Sequence, residues 1–200
     1  MFASIRRLGY GGLVLITGIA AANAQTPDTT YSLTAYGGGG YVRNISQFDI
    51  APEGLQRNGF GGTLRVMWKP EHLLRLGLET GLTQVYYIKT ENVQTDFGST
   101  DFTSSMNAVP ILLVLSMPIT QRLDIYGGMG SFLLYSNTES FGSNVTSSAM
   151  SVGFSLGASY FTPLEGDWGI GAELKWYHMD KFSDDTITLQ VMVSYRFLEW

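Results

Sequence analysis

Few side chains in this sequence carry obvious chemistry: two histidines, no cysteine, and a sparse set of charges. His178 lies in "WYHMDKFSDD" with Asp180 two residues on. A histidine oriented by a carboxylate can activate a serine or a water, so His178 and Asp180 are the candidates for general acid–base work. No serine stands two residues after either histidine, and the plainer reading of His178 is a polar residue at an interface. His72 falls in the short turn "PEHL" beside Pro70. Asp180, Asp184 and Asp185 could attract divalent cations but lack the spacing of a calcium loop, so a solvated acidic loop and no metal site are expected. "GGGG" at Gly37–Gly40 lacks the Lys and Ser or Thr of a phosphate loop, and reads as close packing or bending that interrupts a strand.

The remaining candidates are charges on one phase of an alternating pattern: Arg65, Arg75, Glu79, Asp124, Glu173, Lys175 and Arg196. What they can do depends on what encloses them. In "LLRLGLETGLTQVYYIK", Leu74, Leu76, Leu78, Leu82, Tyr86 and Ile88 alternate with Arg75, Gly77, Glu79, Gly81, Thr83 and Lys89. In "TITLQVMVSYRFLEW", Ile187, Leu189, Val191, Val193, Tyr195 and Phe197 alternate with Thr188, Gln190, Met192, Ser194 and Arg196. Successive side chains of a strand point to opposite faces, so these are strands with one apolar face.

Period two recurs over eight segments: Tyr31 to Arg43, Gly59 to Lys69, Leu73 to Lys89, Thr103 to Met117, Arg122 to Ser136, Ser148 to Phe161, Trp168 to Met179 and Thr186 to Phe197. Several reach about a dozen residues, longer than the ~5–6 of soluble strands and close to the ~9–11 that a tilted strand needs to cross a bilayer. The apolar face is bulky. The other is mostly tiny with a few charges, as in Ser151, Gly153, Ser155, Gly157 and Ser159, which suits the crowded inner wall of a narrow closed barrel.

The connections alternate too. Those after the first, third, fifth and seventh segments are long or polar: "NISQFDIAPEGLQRN", "TENVQTDFGSTDF", "NTESFGSNVTS" and "DKFSDD". Those after the second, fourth and sixth are short and hold Pro70, Pro118 and Pro163. The pattern predicts an all-β chain folded as an eight-stranded antiparallel up-and-down transmembrane β-barrel. A soluble ligand-binding barrel is the competing architecture and would turn the apolar face inward.

Residues 1–24 read as a cleaved secretory signal, with Arg6 and Arg7, an apolar run from Leu8 to Ala22, and the triplet Ala22, Asn23, Ala24. Residues 25–29 would then be a short extension, 30–197 the barrel and 198–200 a tail. Seventeen acidic residues stand against 12 basic ones, two of which leave with the leader, so nucleic acid is not a natural partner. Tyr31, Tyr41, Phe60, Trp68, Tyr86, Tyr135, Tyr160, Trp168, Trp176, Tyr195 and Phe197 fall near strand ends on the apolar phase, where interfacial girdles form.

The leader, "AVPILLVLSMPITQRLDIYGGMGSF", "GFSLGASYF" and "VSYRF" together resemble the small outer-membrane β-barrel proteins of Gram-negative bacteria, the OmpA transmembrane domain and OmpX-like group. The resemblance implies an outer-membrane monomer in contact with lipid and lipopolysaccharide, with no cofactor. It also implies that Tyr195 and Phe197 form the signal read by the barrel-assembly machinery. Trp200 competes with Phe197 for the terminal position, but only Phe197 keeps the phase.

In so narrow a barrel the seven charges must meet one another or trapped water. Arg65 and Glu79 lie at similar heights across the turn at Pro70 and form the first expected pair, while Glu173 and Lys175 are same-face neighbours. The width favours a permanent polar plug over a gate that opens when the pairs exchange. The expectation is a structural or surface-interaction role without enzyme activity. A lipid A-modifying enzyme built on His178 and a narrow passive pore are the alternatives.

Overall fold

The computed structural model describes residues 31–46, 55–70, 74–95, 98–140, 143–182 and 184–200, so the leader and His72 lie outside the described residues. The strands are β1 (Ser32–Asn44), β2 (Leu55–Gln56), β3 (Asn58–Lys69), β4 (Arg75–Thr95), β5 (Gly98–Pro118), β6 (Leu123–Ser140), β7 (Ser143–Pro163), β8 (Trp168–Met179) and β9 (Asp184–Glu199). Every pairing is antiparallel, and the eight long strands close a ring through β1 against β9 and β4 against β5. The two-residue β2 only adds to β4, with Leu55 opposite Ile88. Among the described residues no helix is long and apolar enough to cross a membrane, and the strands form the barrel wall instead.

The apolar phase faces out all round: Leu64, Leu78, Met129, Leu156, Leu174 and Val191 are exposed. The inner phase differs from the expected wall of tiny and charged residues. Val85, Met106, Ala108, Leu112, Val114, Phe132 and Leu134 from β4, β5 and β6 form a buried apolar cluster inside. Small residues elsewhere on the wall make room for its large ones. A Cβ at Gly157 on β7 would strike the ring of Tyr126 on β6, and one at Gly38 on β1 would strike Met192 and the Val191 carbonyl on β9. Gly37–Gly40 do not interrupt β1, because all four are paired to β3 on one side and β9 on the other.

Two of the expected loops are largely strand. β4, β5 and β7 have 21 residues each and β6 has 18, against 13, 12 and 12 in β1, β3 and β8. Ladder pairing runs out to Thr95 opposite Gly98 and Ser140 opposite Ser143. At ~3.3 Å per residue, such strands exceed the ~40 Å that a strand tilted by 45° needs to cross a ~30 Å hydrocarbon core. The outer ends of β4 to β7 therefore continue their ladders beyond the length that crossing requires. No apolar alternation is required there, so "TENVQTDFGSTDF" and "NTESFGSNVTS" read as loops although the backbone ladder continues.

At the other end, β9 extends past the expected boundary. Leu33 pairs with Leu198 and Thr34 with Arg196, which leaves Phe197 as a bulge, and Glu199 pairs with Ser32. Leu198 and Glu199, expected in a tail, belong to the ladder.

Candidate functional site

Four charges close the interior at mid-height. Arg65 Nη1 lies 3.2 Å from Glu79 Oε2 and Arg65 Nη2 lies 2.6 Å from Glu173 Oε2. Lys175 Nζ lies 2.8 Å from Glu79 Oε1 and 2.9 Å from Glu173 Oε1, the latter as an ion pair without a hydrogen bond. Each cation thus bridges both carboxylates. Adjacent strands β3 and β4 set Arg65 opposite Glu79, and β8 brings Glu173 and Lys175 to meet them across the lumen.

The side chains of all four are at most 4% exposed. Two positive and two negative charges balance, which is what makes burial tolerable, because an uncompensated buried charge costs several kcal/mol. Tyr177 Oη donates to Glu79 Oε1 at 3.1 Å and accepts from Lys175 at 3.1 Å, and Thr63 Oγ1 accepts from Lys175 at 3.2 Å. The Arg65 guanidinium lies over the rings of Tyr126 (4.4 Å) and Tyr36 (5.1 Å).

The other three expected interior charges do not join this cluster. Arg75 Nη1 pairs with Asp124 Oδ2 at 2.7 Å near the short-turn end, partly exposed. Arg196 reaches Glu199 at 2.8 Å, and its side chain is 47% exposed at the barrel mouth. It stands at the end of the wall, beside the bulge, where the lumen has already opened to solvent. Arg75, Arg196, Lys69, Tyr36 and Trp168 help line a cavity of about 260 Å³ there. Tyr36 is the link between that cavity and Arg65.

Tyr36, Tyr126, Tyr177 and Thr63 are partners that the sequence reading missed. A signal existed, since Tyr177 shares the phase of Glu173 and Lys175, and Tyr126 that of Asp124. Thr186, Thr188 and Gln190 on β9 also point inward, and their buried polar atoms have no protein partner.

His178 lies on the opposite, outward face of β8, at the long-strand end. Its ring packs between Phe154 (5.1 Å) and Trp176 (6.1 Å). Nδ1 is 2.9 Å from Asp185 Oδ1, Nε2 is 3.3 Å from Asp180 Oδ1, and Trp176 Nε1 donates to the same Asp185 oxygen at 3.1 Å. Both ring nitrogens face carboxylates, and among the described residues no serine or threonine hydroxyl bonds to the ring. Among the described residues no group of three or more histidine and carboxylate ligands could hold a metal ion. At the short-turn end Tyr195 packs on Trp168 with centroids 4.6 Å apart, and both are exposed outward with Phe197.

Several solved structures align with the chain at low identity. A major outer membrane protein from Thermus thermophilus aligns with TM-score 0.55 and 14% identity, over 84% of this chain and 99% of that one. Ail, the attachment invasion locus protein of Yersinia pestis, solved with the heparin analogue sucrose octasulfate, aligns with TM-score 0.48 and 18% identity over 84% and 98%. Neisserial surface protein A gives 0.40 and 12% over 84% and 97%. No curated protein sequence matches the chain. The profile of the outer membrane protein beta-barrel domain matches residues 12–197, nearly the whole sequence, and the chain therefore belongs to that family and resides in the outer membrane of a Gram-negative bacterium.

Proposed function

We propose that this protein is a closed, non-catalytic barrel that serves the outer membrane structurally and works through the surface it presents outside. Removal of residues 1–24 and contact with lipopolysaccharide belong to the same reading, as does assembly of a monomer by the barrel-assembly machinery with Tyr195 and Phe197 in its signal. The observation that carries the proposal is the filled lumen: Arg65, Glu79, Glu173 and Lys175 are mutually paired and buried, and an apolar cluster adjoins them. An eight-stranded barrel has room for side chains and little else, so opening this one would require breaking buried pairs at several kcal/mol. A passive pore gains no support from that arrangement. Nor does lipid A acyl chemistry, because the imidazole of His178 is held by Asp180 and Asp185.

Conductance across a planar bilayer tests the proposal. Purified protein that shifts on heating in detergent should insert without current steps. Regular steps from the wild-type protein would replace the plug by a gate.

A further inference from the structure

Below the mid-height cluster the lumen opens into the cavity of about 260 Å³ at the short-turn end, the end that faces the periplasm in a barrel of this kind. Its floor is a pair of rings. Tyr36 on β1 meets Phe161 on β7 edge to face, with centroids 5.2 Å apart, and Tyr36 also lies 5.1 Å beneath the Arg65 guanidinium. The plug therefore ends where the cavity begins, and whatever enters from the periplasm stops at these rings.

The wall has two unlike sides. Lys69 on β3, Arg75 on β4 and Arg196 on β9 belong to one run of neighbouring strands, in which β1 lies between β3 and β9. On that side Ser32, Thr34 and Ser194 set hydroxyl groups on the inward phase beside the cations. The facing side, from β7 into β8, is lined by Phe161, Pro163 and Gly169, with Asp167 in the turn.

Depth sorts the charges by sign. The Arg75 side chain is 25% exposed, whereas that of Glu199 is 44% exposed and Asp167 is exposed in its turn. The sheltered charge is thus a cation, and the carboxylates stand at the lip. A guanidinium carries five N–H donors in a planar fork, so Arg75 keeps donors for a second acid while Nη1 holds Asp124.

We infer that this cavity binds a small hydroxylated carboxylic acid, of the size and chemistry of a sugar acid, with its carboxylate on Arg75 and its hydroxyl groups among Ser32, Thr34 and Ser194. Arg75 and Lys69 supply the charge a carboxylate needs in a sheltered site, and Ser and Thr hydroxyls both donate and accept. A phosphate dianion fits less well, because Asp167 and Glu199 at the lip repel its second charge. The volume lies just under the ~300–1,000 Å³ of pockets for drug-sized ligands, so one sugar ring is the right scale. Because the plug stays paired, the acid enters and leaves on the periplasmic side.

Isothermal titration of the full chain in detergent tests this, with D-glucuronate as the probe and D-glucose and sodium sulfate as controls at one ionic strength. Glucuronate should bind saturably, and both controls about tenfold more weakly or worse, the loss of one charge-assisted contact. Arg75→Gln together with Asp124→Asn removes their ion pair in balance and should weaken glucuronate by about the same factor. Lys69→Gln should weaken it several-fold, and Glu199→Gln, which removes a carboxylate from the lip, should tighten it. Heat-dependent gel migration checks folding, and where the double variant fails that check the two single variants, opposite in sign, carry the test. Absence of saturable binding, glucose or sulfate binding as tightly as glucuronate, or affinity unchanged by these substitutions would overturn the inference. None of these results depends on conductance, so the closed-barrel reading stands or falls separately.

Discussion

Trp200 stacks on Tyr31, with ring centroids 5.8 Å apart and planes 10° from parallel, and the two backbones exchange hydrogen bonds of 3.0 and 3.1 Å. The contact depends on the bulge at Phe197. In an unbroken β9 every even residue from Thr186 to Ser194 faces inward, and Trp200 would follow them. One extra residue reverses the phase, so Trp200 shares a face with Tyr31 and the seam between β1 and β9 is clasped by a ring pair. Such pairs add about 0.5–1.5 kcal/mol beyond area burial. Trp200→Ala should lower the unfolding free energy obtained from urea titration by about that amount, and adding Tyr31→Ala should cost less than the sum of the singles. Strict additivity would mean the stack contributes nothing.

The mid-height cluster makes a sharper prediction. Removing one member leaves a net buried charge, whereas removing one of each sign leaves Lys175 with Glu79, still balanced. Arg65→Met and Glu173→Met should each destabilise by ~3–5 kcal/mol, and the double variant by clearly less than their sum. Equilibrium unfolding of the three variants in one detergent measures the coupling. Additive losses would show that Arg65 and Glu173 act independently despite their 2.6 Å contact.

How much of this was legible in the sequence follows from where water and lipid lie. Inside the bilayer, period two is forced by two different media, so Leu74–Thr83 and Thr186–Tyr195 both disclose strand and face, and the first discloses the inner charges Arg75 and Glu79 as well. Arg65 and Glu79 could be matched because they flank one short turn. Their meeting with Glu173 and Lys175 depends on barrel closure, which no local spacing encodes. Beyond the bilayer that constraint lapses, so the strands of Thr90–Thr95 and Ser143–Ser147 carry no alternation to read. The apolar inner cluster was hidden for the opposite reason: "AVPILLVLSM" is apolar on both faces, and its phase is set only by its neighbours.

Gly157 tests the packing that fixes the cluster in place. Its missing Cβ leaves room for the Tyr126 ring, on which the Arg65 guanidinium rests at 4.4 Å. Gly157→Ala should cost ~1–3 kcal/mol by overpacking, and Tyr126→Leu in the same chain should recover part of it. Heat-shift midpoints on gels compare the three proteins. A silent Gly157→Ala would mean that the ring moves freely and does not hold Arg65.

His178 offers the clearest separation between a surface anchor and a catalyst. As a general base it would need one free nitrogen aimed at a hydroxyl or water beside a lipid ester. Instead Nδ1 and Nε2 face Asp185 and Asp180, and Asp185 also holds Trp176. The arrangement fixes a ring at the rim between two aromatic neighbours. His178→Ala removes one polar contact from each of two solvent-accessible carboxylates and leaves the Trp176 bond to Asp185, so stability should fall by only about 0.5–1 kcal/mol. The acyl-chain pattern of lipid A, read by mass spectrometry from cells expressing wild type or His178→Ala, should be the same as without the protein. A wild-type pattern with one chain gained or lost, reverting in the variant, would make the histidine catalytic and replace the structural reading of this rim.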